Sequence, residues 1–270
     1  MTAASSALAP NASQADTPAH TVDAFHRGRF WLVQPRQGHR AGMDAMMLAA
    51  AVPSGFSGRL ADFGAGAGAA ALAVLSRCQA AQAVLVERSA EMAGFAAATL
   101  SHPGNAHLGD RASVLTADVT LAGRARAEVG LADNSFDFVI MNPPFNAAQD
   151  RATPDALRRQ AHVVEDELFE RWIRSAAAVA RPRGGLAVIA RPEQLVAILD
   201  AIEGRFGDAE LLCVHPRPDA AAIRIVVRAV LGARGKLSIR PPLTLHGPSG
   251  NAPAERTEMI NNGLASLFGD

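Results

Sequence analysis

The chain has 270 residues, 49% of them hydrophobic, enough for one large α/β core or a domain with appendages. Lys+Arg and Asp+Glu both number 26, so no overall field favours a polyanion and any nucleic-acid affinity must come from local clusters. Cys78 and Cys213 stand far apart without a CxxC partner or clustered histidines, and no stretch reaches the ~18 apolar residues of a membrane span, so neither a disulfide framework, a metal site nor a membrane anchor is expected and a reducing cytoplasm is the expected compartment.

The opening "MTAASSALAPNASQADTPAH" is rich in Ala, Ser, Pro and Thr, and reads as a disordered tail over 1–22. It has no basic n-region followed by an apolar core, hence no secretion signal is expected. Next, "FWLVQPRQGHRAGMDAMMLAAAV" supplies a short strand, a polar turn and a helix from about Gly42, within an N-terminal segment spanning 23–58.

From Arg59 short apolar runs alternate with longer amphipathic stretches, the pattern of βα units and a parallel sheet. Strands are predicted at 59–63, 83–87, 113–118, 136–141, 186–190, 209–215 and 222–231. The clearest helix covers 165–180, where Leu168, Phe169, Trp172, Ile173, Ala176 and Ala177 share one face, and "RPRGG" is its predicted stop. The link "PRPDAA" (216–221) is too short for a crossover helix, so the last two strands should form an antiparallel hairpin. Together, 59–232 reads as a mostly parallel seven-stranded sheet with one antiparallel strand, and 233–270 as an irregular C-terminal segment.

Chemistry concentrates at two strand ends. The first strand runs into "DFGAGAG" (Asp62 to Gly68) and then a helix, where glycines allow close backbone approach and a helix N-terminus offers free N–H groups. Glu87 ends the next strand, suitably placed to accept hydrogen bonds from a ribose diol. This suits NAD as well as any adenosine cofactor, although Ala69 stands where the dinucleotide fingerprint has its last glycine. Asp118 closes the third strand either as an acceptor for an adenine amine or as a helix cap.

"NPPF" (Asn142, Pro143, Pro144, Phe145) follows the apolar run 136–141. Prolines lack N–H donors, so the turn is stiff and presents acceptors: the Asn142 side-chain carbonyl and the Pro143 backbone carbonyl. A planar exocyclic amine has two hydrogens for those acceptors and a face for the Phe145 ring. His39 and His162 stand near these motifs as lone histidines and read as structural.

At these residues the chain resembles the class I S-adenosylmethionine-dependent methyltransferases that modify planar amino nitrogens, with a Rossmann-like fold. "QPRQGHRAGMDAMMLAA", "SFDFVIMNPPF" and "RRQAHVVED" with "ARPRGGLAVIARPEQL" are similar to the bacterial family that methylates N6 of the adenine beside the anticodon of a valine tRNA, over about 25–245. The resemblance implies that Asp62, Gly64, Ala65, Gly66, Glu87, Arg88, Asp118 and Asn142 meet S-adenosyl-L-methionine, with Arg40 and Asp44 closing over it. It implies that Asn142, Pro143, Pro144 and Phe145 hold the target base of an RNA, with tRNA as the expected partner. The chain has Phe145 where many relatives carry Tyr, and Met43 before Asp44 where a hydroxyl residue is frequent.

Other acceptors using the same turn are the guanine N2 of ribosomal RNA and a protein glutamine amide. A catalytically silent RNA-binding protein and a nicotinamide oxidoreductase are the rival classes. Arg151, Arg158 and Arg159 after NPPF read equally as a solvated face or a phosphate-binding loop, and with Arg36, Arg40 and Arg240 they are expected to ring the sheet's C-terminal edge.

Overall fold

The computed structural model describes residues 20–38, 40–144 and 155–270, with side chains left out for 155–166. Strands β1 (His20–Phe25) and β2 (Phe30–Pro35) form an antiparallel hairpin, Phe25 opposite Phe30. It begins at His20, inside the stretch assigned from sequence to the tail. The outer edge of β2 meets side chains: the Thr99 hydroxyl accepts from Val33 N at 3.0 Å and donates to Val33 O at 3.2 Å. Asn105 likewise accepts from Trp31 N (2.8 Å) and donates to Trp31 O (2.6 Å). Two buried polar side chains therefore do the work of a third strand.

After α1 (Met43–Ala50) come β3 (Arg59–Phe63), α2 (Ala69–Arg77), β4 (Gln82–Glu87), α3 (Ala90–Ser101), α4 (Ala106–Gly109), β5 (Ala112–Thr116), α5 (Gly123–Glu128) and β6 (Phe136–Met141). Then α6 (Asp155–Val179), β7 (Ala180–Ala190), α7 (Leu195–Ile202), β8 (Phe206–His215) and β9 (Arg224–Leu231) complete a sheet of order β8-β9-β7-β6-β3-β4-β5. Only β9 runs antiparallel to its neighbours in this core, as the short 216–221 link requires. This is the expected α/β Rossmann-like architecture, mostly parallel with an antiparallel C-terminal hairpin.

Strands β3, β4 and β6 end level, with Phe63 opposite both Val86 and Met141. The strands are apolar on both faces because each face is covered. The hairpin, α1, α2, α3 and the C-terminal segment pack on one side. Helices α6 and α7 pack on the other, where Phe169, Trp172, Ile173 and Ala176 are buried as the helical spacing predicts. Among the described residues no helix is long and apolar enough to cross a membrane.

Two local expectations change. The segment "RPRGG" lies inside β7, where the step from Ala180 to Gly185 faces the step from Phe136 to Phe138 on β6. Arg183 takes φ +67 there, so Pro182 and Gly184 are absorbed in a strand irregularity and helix α6 already ends at Val179. The C-terminal segment is also less irregular than its composition suggests: β10 (Ser238–Ile239) and β11 (Leu243–Thr244) pair parallel with β8, and α8 (Glu255–Asn261) follows.

Candidate functional site

The turn after β3 is built on left-handed backbone, with φ +70 at Gly64, +56 at Gly66 and +95 at Gly68. A Cβ on Gly64 would stand 2.7 Å from the Trp172 ring, so this turn needs glycine for both conformation and space. Val86 O accepts from Gly64 N (2.8 Å) and Ala65 N (3.1 Å), tying the turn to β4. Beneath it, Asp62 is 3% exposed and accepts from Ala71 N at 3.1 Å. Burial pushes its carboxyl up to about 7, helped by nearby Glu87 and opposed by the Ala71 N–H.

At the end of β4 the Glu87 carboxylate accepts from Gly66 N (2.9 Å) and Ser89 N (2.8 Å), joining the glycine turn to the start of α3. Asp118 is no helix cap. Its Oδ1 accepts from the Thr120 N–H (2.8 Å) and hydroxyl (2.7 Å), and Oδ2 lies 3.8 Å from Arg88. Burial raises its carboxyl, but the Thr120 bonds and Arg88 outweigh that and hold it below the usual range.

Asn142, Pro143 and Pro144 follow β6 directly. The Asn142 Oδ1 is buried and has no hydrogen-bond partner among the described residues. Asn142 lines both halves of one cleft. The half of about 280 Å³ reaches Asp62, Arg40 and the start of α1. The half of about 620 Å³ runs past Glu87 and Asp118 to Pro143, Pro144 and Trp172.

Every described cofactor candidate borders this cleft: Arg40, Asp44, Asp62, Gly64, Ala65, Gly66, Glu87, Arg88, Asp118 and Asn142. Arg40 is bound back to the hairpin through Asp23 (2.8 Å). Asp44 belongs to both halves and accepts from Arg224 Nε at 2.9 Å. Phe145, His39 and Arg151 lie outside the described residues, as do the side chains of Arg158, Arg159 and His162.

Sequence reading missed Trp172, Met92, Arg191 and Arg224 as cleft residues. It misplaced Arg240, which borders neither half and instead faces Glu210 at 3.5 Å beside the C-terminal segment.

Comparison with known proteins matches residues 40–217 to the methyltransferase small domain. A predicted O-methyltransferase from Agrobacterium tumefaciens is similar at 42% identity and TM-score 0.73, covering 83% of this chain and 98% of its own. More distant likenesses share the fold. TYW2 from M. jannaschii, in complex with AdoMet, has 10% identity and TM-score 0.53, over 80% and 87% of the two chains. The tRNA methyltransferase TrmI from Aquifex aeolicus has 15% identity and TM-score 0.50, over 74% and 72%. No curated protein matches the chain.

Proposed function

The chain belongs to the methyltransferase small domain family and is an S-adenosyl-L-methionine-dependent methyltransferase; from that premise we propose that it methylates N6 of an adenine in RNA, namely the adenine beside the anticodon of a valine tRNA. The observation carrying this reading is the buried, unpartnered Oδ1 of Asn142. Leaving such an acceptor unmet costs about 1–3 kcal/mol, so the site is poised for a donor that arrives with the substrate. An exocyclic amine brings two hydrogens, one for Asn142 Oδ1 and one for the Pro143 carbonyl. Holding both favours a pyramidal nitrogen and releases its lone pair from the ring.

The cofactor fits the other half of the cleft. Asp62 and Glu87 supply negative charge for a cationic ligand, and Gly64 and Gly66 remove side chains from its path. Both Glu87 oxygens keep lone pairs beyond those used by Gly66 and Ser89, enough to accept a ribose diol. S-adenosyl-L-methionine supplies an electrophilic methyl group whose transfer discharges the sulfonium. Asn142 and Pro143 then need only align the nitrogen, and its proton leaves afterwards.

A hydroxyl acceptor is the second reading, favoured by the name of the 42%-identical structure. It asks more of this site, because a hydroxyl needs a base. Of the nearby carboxylates, Asp44 is engaged by Arg224, Asp118 is held in its ionised form by Thr120 and is thereby a weak base, and Asp62, whose carboxyl burial pushes up to about 7, lies beneath the glycine turn at 3% exposure.

The test is transfer from methyl-labelled S-adenosyl-L-methionine into total tRNA, followed by nucleoside analysis. N6-methyladenosine is the expected product. Label on guanine N2, or no label in tRNA where parallel assays label a protein glutamine or a small hydroxyl compound, overturns the assignment.

A further inference from the structure

A second cleft, of about 560 Å³, lies at the other end of the strands from the glycine turn. It is bounded by Gly28 and Arg29 at the hairpin turn, the end of α2, His107 on α4, and Arg111 just before β5. The hairpin links the two clefts, because its turn borders this one and Gln34, near the far end of β2, borders the cofactor half. Extended chain from Arg29 to Gln34 sets that separation at about 17 Å, at ~3.4 Å per residue. The turn itself is fixed in place. His26, Arg27 and Gly28 take left-handed backbone (φ +48, +57 and +84), and the buried His26 ring meets Ser76 Oγ on α2 at 2.6 Å.

Among the described residues three guanidiniums line this cleft and no carboxylate does. Two of them cap helix ends. Arg77 donates to Ala49 O (2.7 Å) and Val52 O (3.3 Å) at the end of α1, and Arg111 donates to Leu75 O (3.0 Å), Cys78 O (3.0 Å) and Ala81 O (3.2 Å) at and beyond the end of α2. The third, Arg29, is exposed, and its guanidinium has no partner among the described residues. A helix end carries about half a negative charge, so two ends offset about one of the three positive charges. Asp270, whose charge reaches Arg77, is bonded to Arg228 at 2.6 Å, and Asp110, just before Arg111, does not line the cleft. His107 and Gln79 add neutral hydrogen-bonding groups. Phosphates succeed one another at about 3.4 Å along one strand of a nucleic-acid helix, so about five of them span the distance between the two clefts. We propose that this basic cleft is a second contact surface for the RNA, holding backbone phosphates several nucleotides away from the modified base, so that the enzyme takes a structured RNA and not a short fragment around the target. This rests on the RNA-methylating reading above and gives it a size requirement.

The experiment measures binding of unfractionated tRNA by fluorescence anisotropy across a series of KCl concentrations, with polyglutamate as a second probe. Arg29→Gln should weaken tRNA binding about threefold or more at low salt and reduce the fall of log K with log salt by about 0.7–0.9, the loss of one phosphate contact. Arg29→Lys keeps the charge and should retain most of both. Arg124→Gln, on α5 and outside the cleft, makes the same change in net charge and should bind as wild type does. At saturating tRNA the Arg29 variants should transfer methyl at the wild-type rate, the loss appearing in KM alone.

Wild-type salt dependence in Arg29→Gln overturns the surface even if tRNA gains N6-methyladenosine. An equal loss in Arg124→Gln also overturns it, since bulk charge alone would then be at work. A loss confined to Arg29→Gln upholds the surface even if the methyl group is found on guanine, in which case the adenine assignment alone falls. A wild-type enzyme that binds polyglutamate and not tRNA overturns the surface together with the RNA reading.

Discussion

Asn142 sets stability against activity. Its Oδ1 is buried without a partner, so removing the amide relieves a cost that only substrate can otherwise relieve. Asn142→Ala should therefore unfold no more easily than wild type in urea, bind S-adenosyl-L-methionine within about threefold, and lose about 100-fold or more in single-turnover rate. A variant that methylates normally would remove Asn142 from the mechanism. Asp62 gives a pH signature. Its unfolded value is 3.8 and burial lifts the folded one to about 7, so between these the folded chain keeps a proton that the unfolded chain has released. Its contribution to stability then falls as pH rises through that window. A cationic ligand beside it reverses the trend for binding, because the ionised form is the one it favours. Affinity for S-adenosyl-L-methionine, measured by calorimetry, should rise with pH up to about 7 and level off above, and Asp62→Asn should flatten the slope. A flat wild-type profile would show that Asp62 does not titrate against the cofactor.

At the scale of elements, the outer edge of the hairpin is met by two side chains, Thr99 and Asn105. Thr99 provides both the acceptor and the donor for Val33, and both bonds are buried. Thr99→Val keeps the shape and removes both, with an expected loss of about 1–3 kcal/mol and faster hydrogen exchange at the Val33 amide. Protection unchanged at Val33 would mean that the Asn105 bonds to Trp31 and packing hold β2 without Thr99. The same elements show what local sequence encodes. β3 and β6 fall at the predicted residues because each is an apolar run with polar or glycine-rich boundaries. β1 was not legible: "HTVDAF" alternates between exposed and half-buried positions, and its ladder partner is supplied only by the hairpin fold. The Pro and Gly of "RPRGG" signal a break, yet β7 accommodates them because its offset from β6 takes up the extra backbone.

Across the whole molecule, the site divides along the same line. Asp62, the glycine turn, Glu87 and Asn142 were legible because each sits where a strand ends, a position that short-range pattern reveals. Arg191, Arg224 and Trp172 come from segments far along the chain, and reach the cleft only through the order β9-β7-β6-β3 and the packing of α6 on the sheet. The reverse held for Arg240, which sequence alone sends to the sheet's C-terminal edge and pairing of β10 with β8 carries to Glu210. Because the cleft draws on the hairpin, α1, the sheet and α6 together, cofactor binding should stabilise the chain as one unit. At 100 times Kd the gain is about 2.7 kcal/mol, or roughly 5–10 °C in Tm by scanning fluorimetry. A shift confined to one of two separate transitions would contradict this. The short strands β10 and β11 have a further effect. β8 spans Phe206–His215 and forms the outer rim of the core sheet, where unmet main-chain groups would recruit strands from other molecules. Ser238–Ile239 and Leu243–Thr244 occupy part of that rim, and Arg228 anchors the following segment through Asp270 at 2.6 Å. Deleting 233–270 should therefore bring concentration-dependent light scattering from two causes, the bared β8 edge and the apolar face that Leu243, Leu245, Ile260 and Leu267 cover in the full chain; Arg240→Pro, which removes the bond from Arg240 N to Leu211 O and leaves that face covered, should raise scattering with far-UV circular dichroism close to that of the full chain if the edge matters by itself.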